Sequence, residues 1–387
     1  MTAKRASITW ADSIAPEPVT WAWSGSLESL YEGSEDSNSI GPESSASSGR
    51  IAAGTIAIAA GPEGVGKSSF GITIAALVST GRLQGAWFGT PRKVLYVAVE
   101  DSWAHTLVPR LMAAGADLAQ IGRFEVVSDS DSVATLSLPH DNELFEAAIT
   151  DHGVALVVLD PLMSLVSDRI DTHRERDVRE ALDPLAKIAD RTKAVILGIA
   201  HWNKGSGTDI SARITGSGAF KNVPRAIFGF GRDPGSADGS CVLTQSKNSL
   251  GRSDLPSISY RIESATVETA HGDAHTGRFV VLGVSDRSLG EILATANGDK
   301  AKGRPEKLTP AQEFILMYVQ VYGDEHGEVA SRDAIAQGVV EGFKVNELTK
   351  ARNAMSNLVG TRKTSTGGWN WFLKKEGDSA QSAAKAA

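Results

Sequence analysis

Cys241 is the single cysteine among 387 residues, so an intramolecular disulfide is excluded and no cysteine-based metal site is expected. Aromatic residues are sparse at 6%, but 41% hydrophobic and 22% charged residues make a globular composition for two to three domains. That excludes a wholly disordered, collagenous or small disulfide-stapled chain. Long hydrophobic runs are missing as well. The longest, Ile51 to Ala60, is broken by Gly54 and Thr55 and falls short of the ~18 residues of a membrane span. Lys4 and Arg5 lead into no apolar stretch, so neither an export signal nor a membrane anchor is visible. A reducing cytoplasm and no membrane partner are the expectations.

Basic charge is also in deficit, with a formal net charge of -7, which by itself does not suggest a nucleic-acid binder. The distribution is uneven, however. Residues 300–387 carry net +3 against -10 for the rest, and from Leu348 to Lys375 six basic residues (Lys350, Arg352, Arg362, Lys363, Lys374, Lys375) meet no acidic one. Such a patch binds phosphates in an otherwise acidic protein, or is simply a solvated face.

The Ser-, Glu- and Gly-rich stretch 24–49 has few large apolar residues to offset its ordering entropy and reads as a flexible insertion within an N-terminal segment 1–50. Before it, Trp21 and Trp23 alternate with small residues, as in a short strand packed on the domain that begins near residue 51. From residue 51 to about 290, strand-like runs alternate with helix-like stretches, the pattern of an α/β fold with a mostly parallel sheet flanked by helices. The expected strands are Thr55–Ala60, Lys93–Val99, Phe124–Val127, Val154–Leu159, Ala194–Ala200 and Ala226–Phe230. Three more, Cys241–Ser246, Ser257–Ile262 and Arg278–Leu282, have short turns between them and read as antiparallel. Helices are expected at Lys67–Thr80, Ala104–Ala114, Asn142–Asp151 and Arg174–Arg191.

Residues 291–308 read as a linker. Beyond it, Thr309, Pro310 and Gln312 form an N-cap, first-turn proline and capping-box glutamine for a helix to about Tyr322. A second helix from Ser331 to Val340, a third capped by Asn346, and a hairpin from Thr361 to Leu373 turning at Gly367 and Gly368 suggest a small α+β winged helix-turn-helix over 309–375. A disordered tail, 376–387, would come last.

The sharpest motif is GPEGVGKS, Gly61 to Ser68, a GxxxxGK[ST] loop placed after a strand and before a helix. Gly61, Pro62, Glu63, Gly64, Val65, Gly66, Lys67, Ser68 and Ser69 are the expected nucleotide-binding residues, because loop N–H groups and the helix N-terminus attract phosphate oxygens. Lys67 would reach the β- and γ-phosphates and Ser68 would ligate Mg²⁺. A second magnesium anchor fits Asp160, at the end of the apolar run Val154 to Leu159, although a strand ending in Asp-Pro can also be an ordinary turn. Glu100, directly after the Lys93–Val99 strand, suits the general base that activates water. Asp101 competes for that role, or caps the next helix with Ser102. His201 ends the strand Ala194–Ala200, where a polar group can sense the γ-phosphate; taken alone, a strand-end His is more often a surface residue.

This order of phosphate loop, Glu-ended, Asp-ended and His-ended strands continues into GSGAFKNVPRA (Gly216 to Ala226) and SKNSLG (Ser246 to Gly251). With EDSWAHTLVPRLMAAGAD (Glu100 to Asp117) and VVLDPLMSLV (Val157 to Val166), it resembles the RecA-like hexameric ATPases of the RepA and DnaB helicase class, especially RepA-type proteins of plasmids and actinobacterial phages. The resemblance covers about Pro16 to Gly251, apart from the Ser-rich insertion. It implies a RecA-like core, ATP and Mg²⁺ as cofactors, ATP hydrolysis, and a homo-oligomer, expected as a hexameric ring, acting on single-stranded DNA with replication proteins as further partners. It also implies Arg225 as an arginine finger and Lys247 as a second basic finger, both serving the neighbouring subunit's nucleotide. DNA would meet the loops near Ser164–His173 and Trp202–Thr215 through Arg169, Lys204 and Arg213, although these loops are not strongly basic. In the C-terminal module, Lys350, Arg352, Arg362 and Lys363 are the candidate DNA contacts, with protein docking as the alternative. A recombination ATPase and a nucleotide-switched DNA-binding regulator are the other functions consistent with this sequence.

Overall fold

The computed structural model describes residues 6–25, 49–127, 132–202, 210, 213–214, 218–236, 238–296, 309–324, 327–355, 358–364 and 368–374. Most of the Ser-rich insertion, Lys204, Gly367 and the tail fall outside the described residues. The chain divides into two units, 1–301 and 302–387.

Trp23 is part of the first unit's core, with Trp21 half-buried beside it. Strand β1 (Trp21–Trp23) pairs antiparallel with β2 (Ile51–Ala52), and the fully buried Trp23 meets Phe70 and Phe228 at ring distances of 6.1 and 5.9 Å. The next runs, rich in Ile, Val, Leu and Ala, are continuous rather than alternating because their sheet is covered on both faces. They give β3 (Ile56–Gly61), helix α1 (Lys67–Ser79) and β4 (Lys93–Ala98). A single π turn, Trp103–Leu107, enters α2 (Val108–Ala113), in place of the one longer helix expected.

The expected strand Phe124–Val127 is displaced. The edge strand is β5 (Ile121–Arg123), while Phe124 instead packs edge-on against Phe145 at 5.5 Å. Val126–Val127 (β6) pairs with Val133–Ala134 (β7) in a separate ribbon. Then come α3 (Asn142–His152), β8 (Val154–Asp160), α4 (Glu175–Thr192), β9 (Val195–His201), the short α5 (Ala219–Asn222) and β10 (Ala226–Arg232). Helix α4 is strongly amphipathic and lays Val178, Ala181, Leu182, Leu185 and Ile188 on the sheet.

Strands β10-β3-β9-β8-β4-β5 are mutually parallel, and the loop-bearing β3 is the middle strand of the whole nine-stranded sheet. Three antiparallel strands extend the sheet beyond β10: β11 (Cys241–Asn248), β12 (Ile258–Thr269) and β13 (Gly272–Val284). The last two are longer than the sequence suggests. Only residues 258–260 of β12 pair with β11, and the rest of the hairpin is paired within itself. Helix α6 (Leu289–Ala296) occupies the first part of the expected linker. Its Leu289 and Ile292 are buried, and Leu289 lies so close to Gly231 that a β-carbon there would sit 2.4 Å from Leu289 Cδ1.

The second unit contains α7 (Pro310–Tyr322), β14 (Glu328–Ala330), α8 (Ser331–Val340), α9 (Val345–Ala354), β15 (Val359–Lys363) and β16 (Trp369–Leu373). The Thr309–Gln312 capping box forms as expected. Two features differ from expectation. Asn346 lies inside α9, whose N-cap is Lys344, and the unforeseen β14 completes a three-stranded antiparallel sheet ordered β14-β16-β15. Phe314, Ile315, Leu348, Val359 and Trp371 form part of this unit's own core.

Candidate nucleotide site

Strand β3 is paired on both edges, so its C-terminal end delivers Gly61 at a fixed point above the sheet, and α1 starts six residues later at Lys67. Between them the chain turns tightly, with Gly64 at φ +69° and Gly66 at φ +86°, values that residues with a β-carbon rarely adopt. Lys67 is 5% exposed and its Nζ donates a 2.6 Å hydrogen bond to the Pro62 carbonyl, across the mouth of the loop. Burial lowers its pKa to about 8, against the pull of Asp160 and Glu63. An anion entering the loop would restore the charge that burial disfavours.

Strands β8 and β4 set the next group beside the loop. Asp160 ends β8, level with Ala98 of β4, and accepts a 2.8 Å hydrogen bond from the Tyr96 hydroxyl and another from Ser68. Burial raises its pKa, and those two hydrogen bonds work in the other direction. Glu100 is exposed at the rim of the same cavity. Its competitor Asp101 is engaged, accepting from Arg110 Nη1 at 3.1 Å, while Ser102 accepts from His105 N and caps the π turn. Of these two, Asp101 is tied and Glu100 is not. Arg110 itself lines the cavity, and the sequence does not single it out; its place in the phrase from Glu100 to Asp117 is the only signal.

His201 closes the third side. It lies level with Gly61 across the β3–β9 ladder and lines the cavity, and its buried Nδ1 has no hydrogen-bond partner among the described residues. The next residue, Trp202, ties its own amide to the Gly61 carbonyl at 3.2 Å and bridges to Ile214. The cavity among these groups measures about 360 Å³ and opens against Ile262 of β12.

A magnesium ion fits this donor set. Among the described residues no three His, Cys, Asp or Glu side chains are placed to hold a metal ion by themselves. A hydroxyl beside a buried carboxylate, with the remaining ligands drawn from phosphate and water, is how hard divalent ions are held.

The expected fingers lie elsewhere. Arg225 precedes β10 and its amide donates to Ile56, five residues before Gly61, which places it roughly 16 Å away at the opposite end of the strand. Exposed there, it borders a cavity of about 540 Å³ with Arg179, Asp183, Asn222 and Leu250. Lys247 pairs with Ile227 at the same end, where its Nζ donates to the carbonyls of Lys221 and Asn222 at 2.8 and 3.1 Å. Burial and the charges of Arg225 and Lys221 lower its pKa. Neither residue reaches its own chain's phosphate loop.

Of the expected DNA contacts, Arg169, Lys350 and Lys363 are exposed, whereas Arg213 lies over the Trp202 ring at 5.3 Å. Arg352 and Arg362 have partners within their own unit. Arg352 donates to Val359 O and Asn353 Oδ1, and Arg362 is ion-paired with Glu328 and rests 5.1 Å from the Phe372 ring. Their strand and helix place these acceptors within reach, and Arg362 remains exposed.

Residues 11–207, more than half of the chain, match the family model described as "AAA domain", a domain of nucleotide-dependent ATPases. Among solved structures, the crystal structure of the RadB recombinase is similar at 18% identity with a TM-score of 0.39, covering 56% of this chain and 90% of that one. No curated protein matches the chain. Among the described residues no helix is long and apolar enough to cross a membrane.

Proposed function

The chain belongs to the AAA domain family, and on that ground we propose that it is an ATP- and Mg²⁺-dependent oligomeric ATPase that moves on single-stranded DNA, a replicative helicase of RepA type. One observation carries this reading. Lys67, Ser68, Glu100, Asp160 and His201 converge on a single cavity, while Arg225 and Lys247 lie at the far end of the same sheet, away from their own phosphate loop, which supports a role toward a neighbouring copy.

In that assignment the loop amides and Lys67 hold the β- and γ-phosphates, and Ser68 with Asp160 holds Mg²⁺, which screens the phosphate charge. Glu100 orients a water and takes its proton as the oxygen bonds to the γ-phosphorus and the bond to the β-phosphate oxygen breaks. Arg225 from the next copy, assisted by Lys247, neutralises charge in the transition state, a contribution worth about 10³ to 10⁵ in rate for arginine fingers. His201 hydrogen-bonds the γ-phosphate and passes its presence through Trp202 to the loop closed at Ile214. A hexameric ring would place the loops after β8 and β9, with Arg169, Lys204 and Arg213, around the DNA backbone.

The helix–strand–helix–helix–strand–strand order of the second unit supports the winged-helix reading. Lys350 and Lys363 are its exposed cations for DNA phosphates. Replication proteins are the alternative partners for this unit.

The test is ATP hydrolysis with and without single-stranded DNA, with Lys67→Ala as blank, followed by unwinding of a forked duplex. DNA-stimulated turnover with strand separation is expected. Hydrolysis indifferent to DNA would overturn the motor assignment in favour of a nucleotide-switched regulator.

A further inference from the structure

We infer that Tyr260 of β12 and Arg232 of β10 are positioning residues for the nucleotide's phosphates, because they fix the two peptide units at the tip of the phosphate loop. The inference rests on the reading that this loop binds a nucleotide.

Tyr260 Oη donates a 2.5 Å hydrogen bond to the Val65 carbonyl, and Arg232 Nη2 donates at 3.2 Å to the Gly64 carbonyl. A trans peptide is planar, with C=O and the following N–H pointing to opposite sides. Holding the Gly64 carbonyl outward therefore turns the Val65 N–H inward, and holding the Val65 carbonyl outward does the same for the Gly66 N–H. Neither amide has a hydrogen-bond acceptor among the described residues. Both are thus aimed where phosphate oxygens collect, and their orientation is set before any ligand arrives. Donors fixed in advance cost no reorganisation on binding.

The two supports are themselves held. Tyr260 is fully buried, stacked on Phe279 at 4.4 Å and edge-on to Phe230 at 5.8 Å. Burial keeps its phenol protonated far above neutral pH, so the hydroxyl remains a donor. Two residues along the same strand, Ile262 lies against Gly66, where a β-carbon would be 2.6 Å from Ile262 Cδ1. Arg232 is exposed, but it ends β10, which is hydrogen-bonded to β3 up to Gly229 and Ala60. Both supports come from strands β10 and β12, which lie outside the match to residues 11–207.

Tyr260→Phe keeps the ring packing and removes only the hydroxyl, and Arg232→Gln changes only a surface side chain. In the full-length protein, each is expected to raise the ADP dissociation constant about three- to tenfold, the range for one lost hydrogen bond, neutral at Tyr260 and charged but solvent-screened at Arg232. The double variant should multiply the two effects. KM for ATP should rise by the same factors with kcat within about twofold, because these bonds act equally on bound substrate and transition state. Arg232→Lys should recover part of the affinity. Unchanged ADP affinity in the double variant, even with a lower melting temperature, would reduce both residues to ordinary packing and overturn the inference. Failure of the unmodified protein to bind ADP would instead remove the nucleotide reading, so the two failures are distinguishable. Should Tyr260→Phe fail to fold, Arg232→Gln and Arg232→Lys decide alone.

Discussion

Tyr96 and Asp160, 64 residues apart in the chain, are joined by a 2.8 Å hydrogen bond between neighbouring strands, and through it β4 holds the carboxylate that faces Ser68. Burial raises the pKa of that carboxyl, and the Tyr96 bond counters the rise. Tyr96→Phe preserves the ring, which meets Trp103 edge-on at 6.4 Å. Losing the bond should move the pKa further up, so the carboxylate is lost at a higher pH on acidification. We expect the acid limb of the kcat/KM profile to shift to higher pH and the Mg²⁺ requirement to rise about threefold to tenfold. An unshifted profile would show that Asp160 does not act through its charge.

Lys67 gives a second pH dependence with the opposite limb. Its pKa of about 8 means that the cation is present at pH 7 and largely lost at pH 9. Binding a phosphate above pH 8 then requires proton uptake, and the ADP affinity should fall about tenfold between pH 7 and pH 9. Calorimetry in buffers of different ionisation enthalpy would reveal the uptake. For the fold itself the sign is reversed: the cost of burying the cation is relieved as pH rises through 8 toward 10.5, so this group alone makes the protein more stable there.

The distance between Arg225 and its own phosphate loop predicts complementation between copies. Arg225→Ala should keep ADP binding and lose hydrolysis at least a hundredfold. Glu100→Gln should be similarly inactive. Mixed, the two inactive proteins form interfaces at which an intact Glu100 meets an intact Arg225, and turnover should reappear in proportion to those interfaces. Absence of any recovery in stable mixed assemblies would rule out action in trans.

In the second unit, Arg362 and Lys363 are adjacent yet should behave differently. Glu328 is 9% exposed and accepts from Arg362 and, at 3.1 Å, from Asn370. Arg362→Ala leaves that carboxylate short of a partner and should destabilise the unit by about 1 kcal/mol, read as a lower midpoint in denaturant. Lys363→Ala should leave the midpoint unchanged and weaken DNA binding with a shallower salt dependence. The reverse pattern would return Arg362 to the DNA surface.

The parts of this protein legible in its sequence are those carried by contiguous residues. Gly61 to Ser68 specify a loop through backbone conformation and helix-terminal amides, both local properties. The runs ending at Asp160 and His201 read as strands because apolar continuity marks a sheet covered on both faces. Helix α8 has its expected bounds and α7 its expected cap for the same reason. The features that are not legible depend on partners brought together by strand order. Tyr260 reaches Val65 across 195 residues and Arg232 reaches Gly64 across 168, and nothing near any of them announces the pairing. The length of the β12–β13 hairpin, the burial of Leu289 and the pairing of Arg362 with Glu328 are hidden in the same way. The sequence by itself determined which residues could meet a phosphate; the tertiary structure decided what holds them in place, because hydrogen bonding and burial of a side chain depend on register and neighbours that no local pattern encodes.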